Sequence, residues 1–399
     1  MASEPPHHGT YAHNSDPDPD PNQRWTGRAR VGPPPAPPPP PPQYARPAPP
    51  RQGPPTRGIR PRWGRIALVS LALLALLAGS GILVGYLWFR GVDSGLKRED
   101  PFAQLEGRPP KVVDGSLNIL LLGSDSRDPS RASEGVTGER TDTIVIMHIP
   151  ASHDRAYLVS IPRDTWVHIP KSAGCQNCDT MDKINAAYNG DKYATGGMRL
   201  MVQTVEEFTG VRMDHVAVID FGGFVKVTDA VGGVDMTVDQ AIDSIHPPYR
   251  HFNAGPQHFN GEEALDYVRQ RYQFADGDFT RIKHQQMFLK ALMDKAVSVG
   301  TVTNIGSLKD FVSAVADTMT VDQDFSLFDL AWQFHSLRSE DLTFLVSPNS
   351  GTGTIDGQSV VVSDKRSALS FYNAMANDTL GDWVAQHGSG NGSGAYAGG

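Results

Sequence analysis

Cysteine is almost absent. The 399 residues hold two, Cys175 and Cys178, both in "AGCQNCD". Zinc would need two further ligands that this stretch does not offer. No strand leads directly into a helix there, which argues against a thioredoxin-type redox pair. A small disulfide-closed loop is the reading that remains, and it suits an oxidising compartment. Long basic runs are also missing and the net charge is −8, so nothing points to nucleic acid as a partner. The first 65 residues have few aliphatic side chains, yet they hold 20 of the 31 prolines, including "PPPAPPPPPP". Such a segment buries too little apolar area to offset its ordering entropy. It is expected to be a disordered tail with polyproline II stretches, either a plain flexible tail or a docking segment.

The one long apolar run is "IALVSLALLALLAGSGILVGYLWF", residues 66–89. As a helix, 24 uncharged residues span the ~30 Å hydrocarbon layer, and Trp63, Tyr86 and Trp88 suit its two interfaces. A signal peptide would carry a shorter apolar core nearer the N-terminus. Arg57, Arg60, Arg62 and Arg65 crowd the near flank. The excess of basic residues on that side places the tail in the cytoplasm and residues 90–399 outside the cell membrane. Residues 90–112 read as a stalk, 113–385 as a globular domain, and 386–399 as a disordered Gly/Ser tail.

Within the domain, strands are expected at 117–123, 143–149, 156–161, 216–221, 234–238 and 342–347. Helices are expected at 198–209, 222–230, 262–268, 279–298, 307–317, 326–337 and 365–377, with Ser326 and Asp364 as N-caps. The fold class is therefore α/β, a three-layer α/β/α domain around a central mixed sheet, plus one N-terminal transmembrane helix. "PASHDR" is too short for a parallel crossover, so the second and third strands pair antiparallel. The connection between the first and second holds no convincing helix, and the same pairing is expected there. Three alternating strands bring Asp125, Arg127, Arg140, Asp142, Arg163 and Asp164 to one edge.

A second charged group lies in "YVRQRYQFADGDFTRIKHQQ", residues 267–286. "NGEEALDYV" has capping-box spacing at Asn260 and Glu263. Past its end, "VRQRY" reads as extended, so Arg269 and Arg271 share a side. "ADGD" is a turn, with Asp278 capping a long helix. Asp278, Arg281 and Gln285 fall on one stripe of that helix, which Ile282, Leu289, Leu292, Met293 and Ala296 continue, while Lys283 points away. A polar patch on a core-facing stripe is either a buried Asp–Arg anchor or the wall of a charged pocket. Arginine forks match phosphate oxygens, and Asp125 and Asp142 are a pair of carboxylates of the kind that holds Mg²⁺ together with water and phosphate. The composite points to a diphosphate group. Gly222, Gly223, Gly232 and Gly233 read as turn residues, and His148, His153, His168 and His215 have no metal-ligand spacing.

"NILLLGSDSR", "ERTDTIVIMHI", "VSIPRD", "KINAAY", "DAVGGVDMTV", "FNGEEALDYVRQR" and "GDFTRIKHQQ", in this order over residues 115–300, resemble the LytR-CpsA-Psr family. The resemblance implies an α/β/α phosphotransferase that moves a glycopolymer from a polyprenyl-diphosphate carrier to peptidoglycan through a phosphodiester, at a muramic acid 6-hydroxyl. It implies Asp125 and Asp142 near the metal, Mg²⁺ or Mn²⁺, and Arg140, Arg163, Arg269, Arg271 and Arg281 on the diphosphate. Asp278 and Gln285 join the same pocket. Asp142, Arg163 and Asp278 are the candidate catalytic residues, with Asp142 or Asp278 as base. An apolar tunnel for the lipid is expected along residues 221–233. His284 stands where the family often has arginine. A lipid-diphosphate hydrolase and a non-catalytic, polyanion-binding regulator are the alternatives.

Overall fold

The computed structural model describes residues 95–388 apart from 104, 126–140, 174, 176, 190–191, 194–195, 275, 299–304 and 334–335. The proline-rich tail (1–65), the apolar run 66–89 and Arg140 lie outside the described residues. Among the described residues, no helix is long and apolar enough to cross a membrane.

Seven strands form the central sheet: β1 (Lys97–Glu99), β2 (Leu117–Ser124), β3 (Thr141–Ile149), β4 (Ala156–Ser160), β5 (His215–Asp220), β6 (Met319–Asp322) and β7 (Leu342–Val346). Their spatial order is β1-β6-β5-β2-β3-β4-β7. The β2–β3 and β3–β4 pairs are antiparallel, as expected, and the short β3–β4 connection leaves no room for a parallel crossover. Parallel pairs β5–β2, β4–β7 and β1–β6 make the sheet mixed. The stretch read as a stalk is corrected by β1: residues 97–99 form the edge strand. Leu96 is buried, and Arg98 Nη1 donates to the carbonyls of Asp322, Gln323 and Phe325.

Eight α-helices are described: α1 (Met198–Thr209), α2 (Phe221–Ala230), α3 (Gly261–Arg269), α4 (Asp278–Ser298), α5 (Ile305–Thr318), α6 (Leu327–Gln333), α7 (Lys365–Ala376) and α8 (Leu380–His387). Their starts obey local chemistry. Asn260 and Glu263 close a capping box on α3, and Asp364 accepts from two backbone N–H groups of α7. Ser326 Oγ accepts from Asp329 N at the start of α6.

Strand alternation sends β2 side chains to two cores. Leu120 and Leu122 pack with α1, α7 and α8 on one face. Ile119 and Leu121 face the other side, with Ala316 of α5 and Met293 of α4. Helices thus cover both faces of the sheet. The 234–238 strand, expected in this sheet, instead pairs antiparallel with Gly255–Phe259. That ribbon packs with α3 and α4 around Phe252, Phe259, Tyr267 and Phe288 as a third core. Gly223 is a packing residue rather than a turn residue, because a Cβ there would lie 2.7 Å from Thr318 of α5. A Cβ on Gly261 would lie 2.4 Å from the Val225 carbonyl oxygen, so α2 is pressed against both α5 and α3. Cys175 and Cys178 form the expected disulfide, with Cα atoms 5.6 Å apart.

Candidate active site

The ends of β2, β3 and β4 meet at one edge of the sheet, and their charged residues meet with them. Asp142 falls at an irregularity in the β2–β3 ladder, between Thr141, opposite Ser124, and Thr143, opposite Gly123. Such bulges re-aim a side chain. The Asp142 carboxylate forms an ion pair with the Arg163 guanidinium, which follows β4. Asp125 continues β2 at the same edge and is 5% exposed. Arg163 Nε also lies 3.8 Å from Asp164 and 3.9 Å from Asp278.

Asp278 opens α4 and is the hub of the second group. Its Oδ1 lies 2.7 Å from Arg281 Nη2, 3.9 Å from Arg271 Nη1 and 3.9 Å from Arg163 Nε. Arg281 is 4% exposed, and its Nη2 also donates to the Asp142 carbonyl oxygen at 3.3 Å. The two charged groups expected from separate parts of the chain are therefore one site. Asp278 does not simply cap α4 from outside; it is the first residue of the helix.

Arg269 is the last residue of α3, and the chain leaves it in an extended conformation at Gln270, φ −66° and ψ 136°. Arg269 and Arg271 consequently both line the cavity described below. The Arg269 guanidinium carbon stands 4.3 Å from the Phe221 ring centroid. Lys283 points away and pairs with Asp239.

Burial works against the charges of Asp142, Arg163 and Arg281, and the balance with their partners differs from one to the next. Burial pushes the Asp142 carboxyl up, but Arg163, Arg281 and Arg269 outweigh it and hold the group below the ordinary carboxylate range. Burial opposes the Arg163 charge as well, and Asp142, Asp164 and Asp278 more than restore it. For Arg281, burial prevails over Asp278 and lowers the guanidinium pKa. Asp278 Oδ2 is buried and accepts no hydrogen bond from the described residues.

These residues close one end of a cavity of about 1090 Å³. Arg163, Arg269, Arg271, Arg281, Asp142 and Gln285 line it on the polar side. Its remaining wall is largely apolar: Phe221, Phe224 and Val227 of α2, Phe288, Leu289 and Leu292 of α4, Phe311 and Val315 of α5, and Leu121 and Val145 of the sheet. The α2 lining was expected. The α5 lining was not, because "FVSAV" carries no signal that separates a cavity wall from an ordinary core face. Tyr249 and Tyr272, 67% and 69% exposed, stand at the arginine end and also escaped the sequence reading. Arg127 and Arg140 lie outside the described residues. His284, which stands where the family often has arginine, is not among the cavity-lining residues and is fully buried against Tyr267 and Phe274. Among the described residues, no group of three or more His, Cys, Asp or Glu side chains could hold a metal by itself.

Cell wall biosynthesis protein LcpA of Corynebacterium glutamicum is 32% identical over 298 residues, which are 65% of this chain and 56% of that protein. The chain thus spans little more than half the length of that relative. The polyisoprenyl-teichoic acid–peptidoglycan teichoic acid transferase TagU of Oceanobacillus iheyensis is 35% identical over 248 residues, 61% of this chain and 72% of that protein. The crystal structure of B. subtilis TagV matches with a TM-score of 0.54 at 26% identity, covering 68% of this chain and 99% of TagV. The LytR_cpsA_psr family model matches residues 90–377. By sequence and by fold, this chain belongs to the LytR_cpsA_psr family.

Proposed function

We propose that the chain is a transferase that moves a glycopolymer from a polyprenyl diphosphate to a peptidoglycan hydroxyl, leaving a phosphodiester link. Residues 66–89 anchor it in the cell membrane, and the folded domain works on the outer side. The observation that carries this reading is the two-part cavity: four arginines at one end and a long apolar wall behind them. A lipid diphosphate has the same two-part character. Relatives named as teichoic acid transferases support the substrate class.

In this reading the acceptor oxygen attacks the phosphorus that bears the glycan. The bond from that phosphorus to the bridging oxygen breaks, and polyprenyl monophosphate leaves with the electron pair. Negative charge grows on the bridging and leaving oxygens, where preorganised guanidinium groups lower the barrier most. Asp142 is ionised and engaged by Arg163, which suits it to hold that arginine rather than to take a proton. Asp278 Oδ2, buried and without a donor among the described residues, receives the proton of the acceptor hydroxyl. Asp125 and Asp142, at the adjoining ends of β2 and β3, are the carboxylates that would hold a hard divalent cation such as Mg²⁺ or Mn²⁺. When bound there, such an ion neutralises charge on the phosphates.

The test is a transfer assay with purified full-length protein and a lipid-linked glycan carrying a labelled glycan-proximal phosphate, with and without peptidoglycan. Label joined to peptidoglycan supports the transferase. Label released as glycan phosphate in both arms would identify a hydrolase, and intact substrate in both arms a binding regulator.

A further inference from the structure

Gln270 stands between two of the cavity arginines, yet it is fully buried and is not among the cavity-lining residues. In an extended segment, neighbours point to opposite sides. Turning Gln270 inward therefore turns Arg269 and Arg271 together toward the cavity.

The inward side is built to hold an amide. Gln270 Nε2 donates to Ser244 Oγ at 2.8 Å, to Asp266 Oδ1 at 2.7 Å and to the Asp266 carbonyl at 2.9 Å. Its Oε1 accepts from Ile245 N at 3.3 Å and from Gln273 Nε2 at 2.6 Å. Asp266, 4% exposed, also receives the Ser244 hydroxyl at 2.5 Å and Arg250 Nη1 at 3.3 Å. A glutamine uses both ends here: a carboxylate would face Asp266 with no proton between them, and an aliphatic side chain would leave Ile245 N without its acceptor. The same amide thus joins the arginine segment to the loop whose Ile245, His246, Pro247 and Tyr249 line the cavity mouth.

We propose that Gln270 is a positioning residue for diphosphate recognition: its amide, held by Asp266 and Ser244, fixes the side to which Arg269 and Arg271 point and locks them to the mouth loop. It touches no substrate itself. The inference rests on the diphosphate reading of the cavity, and the experiment separates the two.

Detergent-solubilised full-length protein is titrated with farnesyl diphosphate and with farnesol, and its urea midpoint is measured in parallel. The wild type is expected to prefer the diphosphate. Gln270→Glu should weaken farnesyl diphosphate binding about tenfold or more, the loss expected when charge-assisted hydrogen bonds are misaligned, and leave farnesol binding unchanged. Adding Asp266→Asn to Gln270→Glu restores a donor–acceptor pair and should recover most of the preference. Ser244→Ala, the milder change, should show the same selective loss on a smaller scale if Gln270→Glu does not fold. Equal weakening of both probes, or no recovery in the double variant, would overturn the positioning role. A wild type that binds the two probes alike would sink the diphosphate reading, and this inference with it.

Discussion

Acid should weaken the packing of α3 against α4 through one side chain, His284. The imidazole is fully buried, stacked on Tyr267 with centroids 4.5 Å apart and edge-on to Phe274 at 4.9 Å. Nε2 lies 3.2 Å from the Tyr267 hydroxyl, and Nδ1 has no hydrogen-bond partner among the described residues. Protonation would leave a buried N–H without an acceptor. Burial lowers the His284 pKa from 6.5 to about 4, with Asp239 opposing and Lys283 adding to the effect. A depressed histidine favours the neutral folded form, so its contribution is complete above the unfolded value of 6.5 and is lost as pH falls toward 4. At about 1.4 kcal/mol per pH unit, the loss reaches about 2 kcal/mol near pH 5 and approaches about 3 kcal/mol near and below pH 4. Urea unfolding of wild type and His284→Phe between pH 7.5 and 4.5 isolates this part, because other groups titrate in both proteins. The wild-type curve should fall away from the variant's by that amount. Parallel curves would refute the reasoning.

Other perturbations follow from the same geometry. Arg163→Ala removes the Asp142 partner and one of the four guanidinium groups, and should lower transfer kcat by about 10²- to 10³-fold in a single-turnover assay. Asp278→Asn leaves Arg281, 5% exposed at its side chain, without its carboxylate and should destabilise the fold by about 3 kcal/mol in urea. It should also abolish transfer. Leu289→Trp fills the apolar wall, and calorimetry should show weaker binding of farnesyl diphosphate with inorganic diphosphate binding unchanged.

Much of the site was legible because its signals are local. The polar patch on the α4 stripe, Asp278, Arg281 and Gln285, breaks a helix pattern that Leu289 and Leu292 resume, and that break marks where the cavity changes character. The extended step after Arg269 follows from the end of a capped helix. The short β3–β4 connection dictated one pairing, the lack of a helix signal between β2 and β3 pointed to the other, and together they bring Asp142 to Arg163. What stayed hidden is non-local. Nothing in "KRE" announces that residues 97–99 will pair with β6 across more than 200 positions; the pairing exists because Met319–Asp322 leaves an edge to cover. The 234–238 strand alternates as a half-buried strand should, and only its partner, Gly255–Phe259, removes it from the main sheet. The hairpin Asn349–Ile355 and Gln358–Ser363 could have been found, since Asp356-Gly357 is a turn signal between two alternating segments. Gln270 carries no sequence signal at all; its role is visible only once Ser244 and Asp266 are beside it.

The most direct test is a crystal structure of the protein soaked with a polyprenyl diphosphate. The expected density puts both phosphates within hydrogen-bond distance of Arg163, Arg269, Arg271 and Arg281, with the chain running between Phe224, Phe288 and Leu289. Phosphates bound elsewhere, or a lipid chain lying outside the apolar wall, would contradict the account.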